Sequence, residues 1–203
     1  MPDFKQARVL VDWNNIQARV DEKFLSNPRK NIPPLVLRIQ QQVARLLTKV
    51  DSESRHRVSL RIYYGWHRER DPTPIRGEFE RYRFDDNFAR RISKVSFSAG
   101  FDFGNELCCY EDLMPLYDTY RGKGQDKGQK MVDTAIACDV LHLSRFHPDM
   151  TTVIISDDDD FLPAVITAKS WRAQALLIRV ERRDLKVVTD DSLDECVYYW
   201  SET

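Results

Sequence analysis

The sequence predicts an α/β fold three layers deep, α/β/α, with a mainly parallel central sheet. Three observations predict it. Short apolar runs alternate along the chain with segments of helical spacing, the pattern of strands joined by crossover helices. The first run, Ala7-Arg8-Val9-Leu10-Val11-Asp12, is nearly continuous in apolar residues, which suits a strand covered on both faces. The length, 203 residues, suits one such domain. Residues 1–203 therefore read as one domain, with residues 99–130 as a variable insertion or loop region.

Each element follows in order. The first strand ends at Asp12. Leu35, Ile39, Val43, Leu46, Leu47 and Val50 recur at helical spacing, opened by Pro33-Pro34. Val58 to Gly65 reads as a second strand, and the charged stretch Pro74 to Ile92 as a helix. Val95-Ser96-Phe97 reads as a third strand and Leu107 to Tyr110 as an edge strand. Arg121 to Lys130 is a polar, glycine-bearing loop, expected to be mobile. Met131 to Leu143 reads as a helix. Thr151 to Ser156 is the clearest strand, β-branched and bounded by turns. A helix over Phe161 to Trp171 and a strand over Ala175 to Val180 follow, while Leu193 to Trp200 fits either type.

Composition excludes several classes. Net charge is −1, so no overall basic field points to nucleic acid. None of the cysteines, Cys108, Cys109, Cys138 and Cys196, forms a Cys-x-x-Cys pair, which argues against zinc. No run approaches the roughly 18 apolar residues of a membrane span. Met1 to Gln6 lacks the apolar core of a signal peptide, so the cytoplasm is the expected location. There is no Gly-x-x-x-x-Gly-Lys phosphate loop, no Gly-x-Gly-x-x-Gly after the first strand, and no calcium-loop spacing around the acidic run. His56, His67, His142 and His147 are scattered and suggest no catalytic pair.

The chemistry concentrates in acids. Asp12 follows one strand, and Asp157-Asp158-Asp159-Asp160 follow another. If those strands are neighbours, both sets project into one crevice beyond the carboxyl ends of the sheet. Four consecutive carboxylates repel one another unless a cation joins them, and hard oxygen donors suit Mg²⁺ or Mn²⁺. Asp158 and Asp160, two apart, share one side of an extended tip, and Asp157 and Asp159 point elsewhere. Asp160 also precedes Phe161-Leu162-Pro163 and would serve as a plain helix cap. Asp133 opens a helix, where the dipole favours a carboxylate, with Lys130 just ahead. Asp139 lies about 120° around that helix and about 9 Å further along, too far to share an ion with Asp133. It reads as a support behind the site or as a buried pairing group.

These residues resemble a known family. Val11-Asp12-Trp13-Asn14-Asn15-Ile16, then Lys130-Met131-Val132-Asp133 with Asp139, then Ser156-Asp157-Asp158-Asp159-Asp160-Phe161-Leu162-Pro163 resemble, in order and spacing, the three signature blocks of the NYN domain, part of the PIN-like nuclease superfamily. The resemblance covers residues 7–180. It implies a PIN-like fold, Mg²⁺ or Mn²⁺ at a carboxylate cluster, and hydrolysis of RNA to products with a 3′-hydroxyl and a 5′-phosphate. Carried onto matching positions, Asp12, Asp133, Asp158 and Asp160 hold the metal. Asn15 orients Asp12 or touches the scissile phosphate, and Lys130, Asp139 and Ser156 support the site. Asp157 and Asp159 depart from the family, which has Gly and Ser there, and Met131 replaces a small residue.

Substrate grip is expected from Arg121, Lys123, Lys127 and Lys130 on the polar loop. Further basic clusters are Arg68, Arg70, Arg76, Arg81 and Arg83, and Arg179, Arg182, Arg183 and Lys186. Tyr63, Tyr64, Trp66, Tyr82 and Tyr120 are candidates for stacking unpaired bases of single-stranded or partly structured RNA. Tyr198, Tyr199 and Trp200 leave a homo-oligomer open. Two other readings compete: a non-catalytic RNA-binding or protein-interaction module of the same fold, and a metal-dependent phosphatase acting on a small phosphoester.

Overall fold

The computed structural model describes residues 4–20, 28–108, 115–121, 128–180, 193 and 195–200. The chain forms an α/β fold around a seven-stranded sheet. Strand β1 (Phe4–Asp12) leads into helix α1 (Trp13–Val20), then α2 (Pro28–Val50) and β2 (Arg55–Tyr63). A small hairpin, β3 (His67–Arg68) and β4 (Asp71–Pro72), precedes α3 (Pro74–Glu80). Next come β5 (Arg90–Ile92), β6 (Val95–Phe103) and a second small hairpin, β7 (Tyr120–Arg121) with β8 (Gly128–Gln129). Helix α4 (Val132–Phe146), β9 (Thr151–Ile155), α5 (Leu162–Ser170), β10 (Ala175–Arg179) and β11 (Val197–Tyr199) complete it.

The strand order is β11-β10-β9-β1-β2-β6-β5, and only β5 runs antiparallel to its neighbour. The central strands are apolar on both sides because both sides are covered. Val9 and Val11 join a core with Ile16 of α1, Val36, Ile39 and Val43 of α2, and Phe79 of α3. Leu10 points the other way, into a core with Ile136 and Val140 of α4 and Phe161 and Val165. Helices thus flank both faces, compatible with three layers. Among the described residues no helix is long and apolar enough to cross a membrane.

Several sequence expectations change. Pro33 and Pro34 lie inside α2 rather than opening it, since the helix begins at Pro28. The expected helix over 74–92 stops at Glu80. Residues beyond it dock on the sheet instead: the Phe101 amide donates to the Arg83 carbonyl (3.1 Å), and Asp86–Phe88 form a 3₁₀ turn before β5. Residues 99–103 belong to β6, not to a loop. Gly100 has φ +77°, and a β-carbon there would collide with the Arg83 carbonyl. Leu107 and Cys108 are not in a strand; only Glu106 bridges to Pro115. Cys109, Tyr110 and residues 122–127, with Lys123 and Lys127, lie outside the described residues, as do Arg182, Arg183 and Lys186. The ambiguous end contains β11, which becomes a strand by pairing with β10.

Candidate functional site

Strands β1 and β9 lie side by side, and their order marks a switch point. From β1 the chain proceeds outward through β2 and β6, and it then returns to β9 and proceeds the other way through β10 and β11. The helix after β1 packs on one face, and the helix after β9 packs on the other. A crevice opens at such a point beyond the carboxyl ends of the strands. Asp12 closes β1 at that edge. The acidic run follows β9. Helix α4 presents its first turn, with Asp133, against the same core as Leu10 and Ile154.

Asp12 is 4% exposed and fixed by two donors. The Ser156 hydroxyl donates to Oδ2 (2.9 Å), and the Asn15 amide donates to Oδ1 (3.3 Å). The Asn15 side chain also favours the ionised form of Asp12. Burial nevertheless outweighs these bonds and pushes Asp12 up to about 6, with Asp133 adding repulsion. Ser156, fully buried, also accepts from the Asp158 amide (3.2 Å), so one hydroxyl ties the β1 acid to the acidic loop.

The four consecutive aspartates divide into two pairs. Asp157 accepts from the Val180 amide (2.6 Å), and its carbonyl accepts from the Arg179 guanidinium (3.2 Å). Asp159 forms an ion pair with Arg179, whose side chain is only 3% exposed. Both anomalous acids therefore face the end of β10. Asp157 does not have a positive φ, so no glycine is required there. Asp158 and Asp160 lie close enough to Asp133 to repel it. Asp133 is pushed up first by burial, then by Asp158 and Asp160. Asp158, not Asp160, is the cap: its Oδ1 accepts from the Asp160 amide (3.0 Å) at the start of a 3₁₀ turn over Asp159–Phe161. Met131, just before α4, holds φ +64°, a left-handed conformation that costs a side-chain-bearing residue on the order of 1 kcal/mol.

The remaining candidates separate. Lys130 is exposed, and its amide donates to the Thr119 carbonyl (2.9 Å), placing it just ahead of Asp133. Arg121 is exposed but paired with Asp118 (2.5 Å). Asp139 does not support the site acids. It is completely buried and accepts from the Tyr63 hydroxyl (2.5 Å) and the Cys108 amide (2.7 Å), with Arg61 at 3.2 Å. Its role is the buried pairing group. Arg179 is no substrate-gripping group, because the acidic loop occupies it. Tyr63 and Trp66 are core residues, buried to 1% and 0% exposure, which removes them as stacking platforms. Gly104 lets the Tyr63 ring in: a β-carbon there would stand 2.2 Å from it. Sequence reading missed the organising role of Arg179, for which an arginine at a strand end opposite an acidic run was the available signal.

The donor set fits a hard divalent cation in kind. It consists of carboxylate oxygens, and in Asp12 and Asp133 burial and neighbouring acids favour protonation, the condition that a cation reverses. Among the described residues no three acidic, imidazole or thiol groups close into a ready-made cage. Mg²⁺ commonly takes one or two carboxylates and keeps its waters, so a loose set of acids suits it. Comparisons of the chain with family models, with curated proteins and with solved structures find no match.

Proposed function

We propose that this chain is a PIN-like, metal-dependent ribonuclease of the NYN type, hydrolysing RNA phosphodiester bonds at the crevice between β1 and β9. One observation carries the reading: Asp12, Asp133, Asp158 and Asp160 come from three separate segments to one electrostatic neighbourhood at the switch point of the sheet. Burial and like charge oppose ionisation of Asp12 and Asp133 in that arrangement. A role in binding a cation and a phosphate explains why it exists.

These four acids would hold Mg²⁺ or Mn²⁺, which when bound supplies a water of lowered pKa and offsets charge on the phosphate. The chain supplies the positioning. Ser156 and Asn15 fix both oxygens of Asp12. Arg179 holds Asp157 and Asp159 away, so that the acidic loop presents only its alternate acids. Lys130, exposed just ahead of Asp133, is placed to meet a phosphate oxygen as a point charge.

The test is incubation of purified protein with labelled single-stranded and hairpin RNA in Mn²⁺, Mg²⁺ or EDTA. Cleavage is expected with either metal, none in EDTA, and a loss of about hundredfold or more in Asp12→Asn and Asp158→Asn. Cleavage equal to wild type in both variants would overturn the assignment. Phosphate release from small phosphoesters with RNA left intact would replace it with a phosphatase.

A further inference from the structure

Beyond the end of β2 lies a cleft of about 510 Å³ whose walls include Tyr64, Tyr120, Arg68, Asp71 and Thr73. Each aromatic wall borders or belongs to a strand whose neighbour leads to a site acid: β2 lies beside β1, which ends at Asp12, and β7 pairs with β8, which precedes α4 and Asp133. Tyr64 follows Tyr63, the partner of Asp12 in the β1–β2 register. Tyr120 follows Thr119, whose carbonyl receives the Lys130 amide three residues before Asp133.

Both rings are held in place. Tyr64 is half-buried, packs on the first core and lies 5.5 Å from the Trp66 ring. Tyr120 crosses Gly65, where a β-carbon would come within 2.7 Å of its ring. The Arg68 guanidinium stands 5.6 Å from the Tyr120 centroid. The Thr73 hydroxyl lies within hydrogen-bond distance of the Gly65 carbonyl (3.0 Å) and the Trp66 carbonyl (3.1 Å), fixing the hairpin that carries Arg68 and Asp71.

Preset aromatic walls with a cation suit a flat, anion-linked ligand. The Asp71 carboxylate can only accept hydrogen bonds at neutral pH, so it favours an edge with adjacent N–H donors. Guanine offers two such donors side by side, and uracil offers one. We propose that this cleft is a nucleobase subsite, taking one unpaired base of a single-stranded RNA, guanine in preference, while the neighbouring phosphate reaches the acids. The inference rests on the RNA-cleaving reading of those acids.

The test uses the full chain in EDTA, with labelled uridine decamers that carry either no guanosine or one at the centre, read by fluorescence anisotropy. The guanosine strand is expected to bind severalfold tighter. Tyr120→Ala is expected to weaken it about tenfold or more, the usual effect of removing one stacking platform. Asp71→Asn should bring it level with the uridine strand and leave the uridine strand unchanged. Thermal melts check folding, and Arg68→Gln is a second variant should Tyr120→Ala unfold. Equal affinity of wild type for the two strands, or binding unchanged in both Tyr120→Ala and Arg68→Gln, would overturn the proposal. The same proteins in Mn²⁺ separate the two readings. Metal-dependent cleavage with no guanosine preference in binding removes the cleft alone. A guanosine preference lost in Asp71→Asn, with no cleavage, removes the nuclease alone.

Discussion

Asp12 has given up water for two protein donors, and its burial outweighs them. Its carboxyl stands at about 6 in the folded protein against an ordinary 3.8. The folded state therefore holds this proton more tightly than the unfolded chain does. Below about pH 4 both states are protonated, and burial of Asp12 carries no ionisation cost. As pH rises from about 4 through about 6, the folded state must ionise a buried acid, and stability falls by on the order of 3 kcal/mol. Asp12→Asn has no such cost. In EDTA at pH 7.5 it is expected to melt above wild type, with the difference gone by pH 4, as read by thermal denaturation across that range. A variant less stable than wild type at pH 7.5 would show that the ionised form is held structurally.

At the scale of elements, Asp139 fastens α4 to β2 and to the segment after Gly104. Asp139→Ala strands the buried Arg61 charge and removes the partners of Tyr63 and the Cys108 amide. The expected loss is roughly 3–5 kcal/mol in urea unfolding, and a loss below about 1 kcal/mol would contradict the pairing role. This anchoring was half legible in the sequence. Helical geometry separated Asp139 from Asp133, but Tyr63 lies 76 residues away and no local pattern names it. The strands β1, β9 and β10 were legible because burial on both faces writes itself into composition. Residues 81–92 were not, because their conformation is set by docking of Arg83 on Phe101, a contact made across the fold. The split within Asp157–Asp160 was legible only as alternation. That Arg179 engages Asp157 and Asp159 depended on β10 lying beside β9.

For the whole molecule, the site is a meeting of distant segments, and a cation would act as their shared ligand. Mn²⁺ at a hundred times its Kd is expected to stabilise wild type by about 2.7 kcal/mol. Asp12→Asn, lacking one donor, should gain much less. The two proteins are therefore expected to exchange order in thermal melts, the variant higher in EDTA and wild type higher in saturating Mn²⁺. No shift of wild type with Mn²⁺ or Mg²⁺ would remove the ion from the account.

The contact between Asp12 and Ser156 spans 144 residues of chain. Translation at about 5–20 residues per second puts roughly 10 s between the appearance of the two. For that interval a ribosome-bound chain carries one isolated acid past the message being read, with no crevice around it. The crevice that gathers Asp12 and Ser156 comes into being only after β9 emerges and docks on β1.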